Sequence, residues 1–142
     1  MEIRTPQNEL EWEQYYNLRW EVLRKPWNQP KGSEKDSDED LFFHIAAFDN
    51  GDVTGVGCMK LINDKEAQIR FMAVSDNVQR KGVGVSLMNG LEAEASRRGL
   101  TKIILHAREI AVPFYIHCGY KHVEKSYLLF DSIQHYLMEK EI

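Results

Sequence analysis

The chain has 142 residues, the size of one compact domain, and 43% of them are hydrophobic, which is enough for an ordinary core and excludes a disordered tail. The formal net charge is −4. A general nucleic-acid binder is therefore not expected, because contacts with phosphates require a basic surface.

The first part of the chain predicts a helix followed by an exposed loop. Hydrophobic side chains recur at helical spacing over residues 9–24, charged residues lie between them, and Pro26 ends the pattern. Residues 28–40 are polar and rich in acidic side chains, which is typical of a solvated loop. The same acidic side chains could instead attract a cationic amine by electrostatic steering.

Three strands are predicted next, over residues 41–48, 53–62 and 67–74. The first two are joined through Asn50-Gly51, a strong hairpin signal because both residues tolerate a positive φ. The three strands together predict an antiparallel meander.

The second half of the chain predicts alternating helices and strands. The predicted elements are a helix over residues 82–98, a short buried strand over 101–106, a short helix over 111–118, and one or two closing strands within 121–139 with a turn near Asp131. Strands joined through a helix usually run parallel to each other. The expected sheet is therefore mixed, and the expected fold class is α/β (α+β).

The cysteines and the lengths of the apolar runs indicate the cellular compartment of the protein. Cys58 and Cys118 are far apart and form no C-x-x-C pair, so neither a disulfide framework nor a zinc site is predicted. The first residues show no secretion signal, and no apolar run approaches the roughly 20 residues of a membrane-spanning helix. We therefore expect a cytoplasmic protein with no metal, no membrane association and no nucleic-acid partner.

A glycine-rich loop at residues 79–85 lies between a predicted strand and a predicted helix. Glycines at this point let the backbone approach a ligand closely, and the first turn of the helix offers unpaired N–H groups and the positive end of the helix dipole. The loop therefore predicts an anion site for a phosphate or pyrophosphate, to which Arg80 and Lys81 add positive charge.

Several known loops could account for this pattern. The segment lacks the Lys-Ser/Thr of a P-loop and the third glycine of the dinucleotide fingerprint. A nucleotide-binding module stays open as an alternative, as does a glycine-rich helix start that only packs tightly.

Two motifs together resemble those of the GNAT acetyltransferase family. Gln-x-x-Gly-x-Gly at residues 79–84 resembles its acetyl-CoA motif, and Phe-Tyr-x-x-x-Gly-Tyr at residues 114–120 resembles a second motif that follows one strand later. The likeness covers about residues 53–120. It implies one GNAT domain over residues 1–142, with a mixed, mostly antiparallel sheet that is splayed in the middle and flanked by helices.

A narrower likeness points to the ElaA-like branch of that family. It rests on Leu-Arg-Trp-Glu-Val-Leu at residues 18–23, on His44, and on Leu-His-Ala-Arg at residues 105–108. The chain departs from the branch at Arg108, where a glutamine is typical, and at residues 132–134, where Gly-Ile-Pro is typical.

The resemblance implies acetyl transfer from acetyl-CoA to an amine, either a small molecule or an amine of a protein or peptide. It also implies a homodimer as an option. In addition, a backbone N–H at Val74 would hold the thioester carbonyl oxygen. The implied acetyl-CoA-binding residues are Met72, Ala73 and Val74 along the pantetheine arm, Gln79, Arg80, Lys81, Gly82, Val83, Gly84 and Val85 around the pyrophosphate, and Phe114.

Tyr115 matches the general acid of the family, since a phenol with a pKa of about 10 keeps its proton at neutral pH. The base is less defined, because the strand that often supplies a glutamate carries Gln68 and Arg70 here. His44 is the candidate base for its suitable pKa, with a buried core histidine or a water chain as alternatives. Arg70 is a candidate for binding a substrate carboxylate and Trp27 for lining the acceptor pocket, although Arg70 could pair with an acid and Trp27 could belong to the core.

A function of another class stays open. The absence of the strand glutamate favours a non-catalytic, acyl-CoA-binding regulatory module on the same fold, whereas Tyr115 favours an enzyme. The sequence does not define the acceptor amine or the acyl length.

Overall fold

Seven strands form one sheet in the computed structural model, which describes residues 1–78 and 81–142. Their spatial order is β1-β2-β3-β4-β5-β7-β6, and β4–β5 is the parallel pair while the other neighbours are antiparallel. The predicted mixed, mostly antiparallel sheet is confirmed. The strands are β1 (Glu2–Arg4), β2 (Phe43–Asp49), β3 (Asp52–Leu61), β4 (Glu66–Val74), β5 (Lys102–Arg108), β6 (Lys121–Leu129) and β7 (Ile133–Glu141).

Three helices accompany the sheet in the described part of the chain: α1 (Glu9–Leu23), α2 (Val83–Arg97) and α3 (Val112–His117). The side chain of Asn8 accepts a hydrogen bond from the backbone N–H of Glu11 and so begins α1 as an N-cap. Gly82 precedes α2 with a φ of 80°, a left-handed conformation that favours glycine. Among the residues that the structure describes, no helix is long and apolar enough to cross a membrane.

The hydrophobic core lies on both faces of the sheet. Ile45 and Ala47 of β2 pack in one buried cluster with residues of α2, whereas Ala46 and Phe48 pack in a second cluster with residues of α1. Because successive side chains of a strand point to opposite faces, α1 and α2 cover opposite faces of the sheet. The layered arrangement leaves the carboxyl ends of β4 and β5 accessible between the helices.

Strands β4 and β5 pair at one end only. Their parallel pairing runs from Glu66–Lys102 to Gln68–Ile104 and does not continue beyond that point in the described residues. A bulge accompanies the divergence, because β4 has two residues between Arg70 and Ala73 where β3 has one, and Phe71 takes a positive φ of 53°. The expected splaying in the middle of the sheet is therefore confirmed.

Candidate active site

Two adjoining cavities open where β4 and β5 diverge. The first, which we call the strand cavity, has a volume of about 120 Å³ and lies between β4 and β5. The second, the helix cavity, has a volume of about 650 Å³ and lies at the beginning of α2. Met72, Ala111 and Tyr115 line both cavities, so the two cavities adjoin at these three residues.

The helix cavity fits a phosphate-bearing ligand with an apolar arm. The left-handed Gly82 turns the chain into α2, whose first N–H groups have no partner within the helix and carry the positive end of its dipole. Gly84 lies against Phe114, and a Cβ at Gly84 would come 3.0 Å from the ring. The rest of the lining is mostly apolar, as the arm of coenzyme A requires.

Most of the predicted acetyl-CoA-binding residues are brought together in this cavity. Lys81 is exposed next to the cavity and is not part of its lining, and Gln79 and Arg80 lie outside the described residues. The predicted residues that line the helix cavity are Met72, Ala73, Val74, Gly82, Val83, Gly84, Val85 and Phe114.

Tyr115 lies at the junction of the two cavities. Helix α3 holds it with its side chain almost fully buried, and its ring packs edge-on against Phe114 at a centroid distance of 5.1 Å. Burial raises the pKa of the Tyr115 phenol above its ordinary value, so the hydroxyl is protonated at neutral pH. None of the described residues forms a hydrogen bond with this hydroxyl, and the proton is therefore available to a molecule in the cavities.

His44 is not brought together with Tyr115. It is buried beneath α1, where its Nδ1 lies 2.8 Å from the hydroxyl of Tyr15 and its Nε2 donates to the carbonyl oxygen of Glu39 at 2.8 Å. His44 lines a different cavity, together with Trp12. Both ring nitrogens thus have protein partners, as in the buried core histidine that the sequence left as an alternative.

Arg70, the residue predicted to bind a substrate carboxylate, lines the strand cavity. Its guanidinium pairs with the carboxylate of Asp36 and lies 4.8 Å from the ring of Phe71. Trp27 is half-buried and is not part of the lining itself. Its ring supports the guanidinium of Arg108 at 4.5 Å, and Arg108 does line the strand cavity.

The strand cavity is lined by residues that the sequence motifs did not single out as binding residues. Arg24, His106, Arg108, Tyr127 and His135 all line the strand cavity. One pattern in the sequence could have indicated two of them. The strand β5 alternates buried and half-buried positions, and this alternation places His106 and Arg108 on one face.

Burial governs the ionisation of the histidines and arginines in the strand cavity. It lowers the pKa of His106 below its ordinary value of 6.5, and the positive charge of Arg70 lowers this pKa further. The Nδ1 atom of His106 is buried without a hydrogen-bond partner among the described residues. Burial also lowers the pKa of Arg24 and of Arg108, but a guanidinium remains charged at neutral pH.

Metal ions need a cluster of ligands. Within residues 1–78 and 81–142, no group of three histidine, cysteine, aspartate or glutamate side chains is arranged to hold one.

Comparisons with known proteins agree with the site. A sequence profile of the acetyltransferase (GNAT) family matches residues 12–120. YjcF, an uncharacterized N-acetyltransferase of Bacillus subtilis (strain 168), is 31% identical to this chain over 134 residues, which are 94% of this chain and 95% of YjcF.

Solved structures share the fold. An aminoglycoside 6′-N-acetyltransferase complexed with coenzyme A superposes with a TM-score of 0.84 at 18% identity and covers 99% of this chain and 97% of its own. The ribosomal-protein-S18-alanine N-acetyltransferase from Escherichia coli superposes with a TM-score of 0.75 at 19% identity, and the match covers 99% of this chain and 93% of that enzyme.

The likeness to the ElaA-like branch stays a prediction. The family profile spans well over half of the chain, and the similarity to YjcF spans nearly all of it. The chain therefore belongs to the acetyltransferase (GNAT) family and is an acetyl-CoA-dependent N-acetyltransferase.

Proposed function

We propose that the protein transfers the acetyl group of acetyl-CoA directly to a primary amine, with both substrates bound at the same time. The observation that supports this proposal is the junction at Tyr115, where the strand cavity meets the helix cavity. Acetyl-CoA supplies the activated thioester. The amine occupies the strand cavity and attacks from there.

The helix cavity is the proposed acetyl-CoA site. The backbone N–H groups at the beginning of α2, from Gly82 to Val85, face the pyrophosphate. Met72, Ala73 and Val74 line the path of the pantetheine arm, and Phe114 closes the opposite side. Lys81, together with Gln79 and Arg80, is proposed to add positive charge and polar contacts at the phosphates.

Tyr115 is the proposed general acid. When the amine nitrogen bonds to the acetyl carbon, the carbon–sulfur bond breaks and the sulfur takes up a proton, which the Tyr115 hydroxyl donates. Burial raises the pKa of this phenol, so the hydroxyl holds its proton at neutral pH when the thioester binds. A buried phenol without a hydrogen-bond partner among the described residues is suited to this task.

His106 is the proposed general base, in place of His44. It lines the strand cavity with Tyr115, and its buried Nδ1 has no partner in the described protein. The lowered pKa keeps the imidazole neutral at pH 7, so it can accept the proton that the attacking amine loses.

The test is a coupled measurement of acetyl-CoA binding and of CoA thiol release with a panel of primary amines. We expect turnover with at least one amine and a loss of roughly 100-fold in kcat for Tyr115→Phe, as is usual when a general acid is removed. Tyr136→Phe is the matched control, because Tyr136 bonds to Glu109 and lines neither the strand cavity nor the helix cavity.

Two results would change the proposal. Tight acetyl-CoA binding without turnover of any amine would favour a non-catalytic acyl-CoA-binding module. Failure to bind acetyl-CoA at all would remove the proposed function. The expected cytoplasmic location and the homodimer are further proposals, and light scattering after size-exclusion chromatography would test the second of them.

A further inference from the structure

Positive charge is concentrated around the strand cavity, although the chain as a whole has a formal net charge of −4. Arginines from three separate elements line it: Arg24 directly after α1, Arg70 on β4 and Arg108 at the end of β5. His106 and His135 line it as well, and the described lining contains no aspartate or glutamate.

Arg24 and Arg108 converge on a single oxygen atom. The carbonyl oxygen of Leu23 accepts a hydrogen bond from Arg24 Nη1 at 2.9 Å and from Arg108 Nη2 at 3.1 Å. A carbonyl carries no net charge, so it orients the two guanidiniums without neutralising them. Two like charges this close repel each other, and partial burial strengthens the repulsion.

No carboxylate of the described residues compensates these two charges by an ion pair. The nearby acidic side chains have other partners: Asp36 pairs with Arg70, and Glu34 accepts a hydrogen bond from the backbone N–H of Gly32 at 2.7 Å. Arg24 donates from Nε to a second carbonyl, that of Ser33, at 3.0 Å.

The two guanidiniums are also held in place by aromatic rings. Trp27 lies under Arg108 at 4.5 Å, and Arg24 lies 5.5 Å from the ring of Phe130. Guanidiniums fixed on rings and carbonyls lose little further freedom when they bind a ligand, which favours affinity. Planar forks of this kind match the oxygens of a carboxylate or a phosphate.

We propose that the acceptor is a small amine that also carries a carboxylate or phosphate group, and that Arg24 and Arg108 bind this anionic group. The inference rests on the proposed function, because it assigns the strand cavity to the acceptor. The volume of about 120 Å³ suits a small molecule.

Three of the acidic side chains in the loop of residues 28–40 are held by contacts within the protein. Glu34 and Glu39 are buried at 5% and 7% exposure, and Glu39 accepts a hydrogen bond from Arg19 at 2.8 Å. These carboxylates therefore point to the protein interior. Asp36 is held by Arg70, as described above.

The test compares matched amines on the unmodified protein. One pair is glycine and glycinamide, which tests for recognition of a carboxylate. The other pair is phosphoethanolamine and ethanolamine, which tests for recognition of a phosphate. Spermidine represents cationic amines. We expect kcat/KM to be at least roughly tenfold higher for one anionic amine than for its neutral partner, since a charge-assisted hydrogen bond of about 1.4 kcal/mol gives a factor of ten.

Substitutions test whether Arg108 causes the preference for the anionic amine. Arg108→Gln should raise KM for the anionic amine at least about fivefold more than it raises KM for the neutral amine, since only the anionic group contacts Arg108. Arg97→Gln is the control, because Arg97 is an exposed residue of α2 that pairs with Glu94. Equal loss with both amines in Arg108→Gln would overturn the inference, as would equal or better use of neutral amines or spermidine by the unmodified protein.

A binding measurement covers the case in which none of these amines is turned over. Tryptophan fluorescence of the CoA-loaded protein is recorded during titration with N-acetylglycine and N-acetylglycinamide, because Trp27 contacts Arg108 and should report on it. Saturable binding of N-acetylglycine alone supports the inference, and equal binding of both overturns it. The N-acetyl derivatives of phosphoethanolamine and ethanolamine are titrated in the same way, and no binding of any of the four compounds also overturns the inference. A protein that does not bind acetyl-CoA would instead contradict the proposed function.

Discussion

Gly84→Ala tests whether the helix cavity is the acetyl-CoA site. The new Cβ would lie 3.0 Å from Cζ and 3.1 Å from Cε1 of Phe114, so the ring has to move by a few tenths of an ångström. Phe114 lines the helix cavity, and its displacement reshapes that cavity. In the free protein the ring can move into the open cavity, so the overpacking cost of about 1–3 kcal/mol arises when acetyl-CoA pushes the ring back. A cost of this size corresponds to a loss of roughly 5- to 150-fold in affinity.

The free energy of unfolding of the free protein should change little. Gly84 lies inside α2, where alanine is favoured over glycine by about 1 kcal/mol, and this gain offsets part of the strain. Asn89→Ala is the matched control, because Asn89 is an exposed residue of α2 that does not line the cavity and also gains helix propensity.

A thermal-shift titration with acetyl-CoA measures the effect. At a concentration of 100 times Kd the ligand stabilises the protein by about 2.7 kcal/mol, which is roughly 8 °C at about 3 °C per kcal/mol. A tenfold weaker Kd at the same concentration leaves about 1.4 kcal/mol, or roughly 4 °C. An unchanged shift in Gly84→Ala would refute the assignment of the helix cavity to acetyl-CoA.

Three further predictions follow from buried groups. Because the pKa of His106 is lowered, kcat/KM should fall as the pH drops through a value below 6.5. If the same fall of kcat/KM at acidic pH persists in His106→Gln, His106 is not the base. Burial also lowers the pKa of His44, so the unfolded state binds more protons than the folded state. The contribution of His44 to the free energy of unfolding should therefore be fully present above about pH 6.5 and decrease at lower pH. A urea midpoint that is equal at pH 7.5 and pH 5.5 would contradict this. Arg19→Met should lower the free energy of unfolding by about 3–5 kcal/mol in urea denaturation, because Glu39 is left buried without its charged partner. The control Arg97→Met should change this free energy by less than about 0.5 kcal/mol. Equal effects of the two substitutions would contradict a stabilising role of the buried pair.

The sequence predicted most of the fold because its determinants are local. The Asn50-Gly51 turn has φ angles of 51° and 86°, as the hairpin signal requires, and the three helices begin and end within two residues of their predicted bounds. The strand β1 was missed, since three residues carry no pattern of their own and are defined by pairing with β2. The predicted strand at 41–48 begins at Phe43, because residues 39–41 form a short 3-10 turn.

The two sides of the site differ in how far the sequence defines them. The proposed acetyl-CoA side depends on the backbone conformation at Gly82 and on the close contact at Gly84. Both features need glycine, so they appear in the sequence as two glycines at fixed positions of a short motif. The strand cavity, the proposed acceptor side, depends on contacts between distant segments. Arg108, for example, meets the carbonyl of Leu23 across 85 positions of sequence, and no local pattern encodes such a pair.

A buried arginine connects α1 to the acceptor side. Phe71, at the bulge of β4, has a positive φ, which costs a residue other than glycine about 1–2 kcal/mol. The guanidinium of Arg19 lies 4.3 Å from its ring, and those of Arg70 and Arg24 lie at 4.8 and 5.8 Å. Contacts of this kind contribute up to about 2 kcal/mol when they are desolvated, enough to offset the backbone strain. Arg19 thus helps to hold the bulge of β4, which lies where β4 diverges from β5. The ring of Phe71 also contacts two of the arginines that line the strand cavity. It follows that Arg19 influences the strand cavity, the proposed acceptor side, without itself lining either cavity.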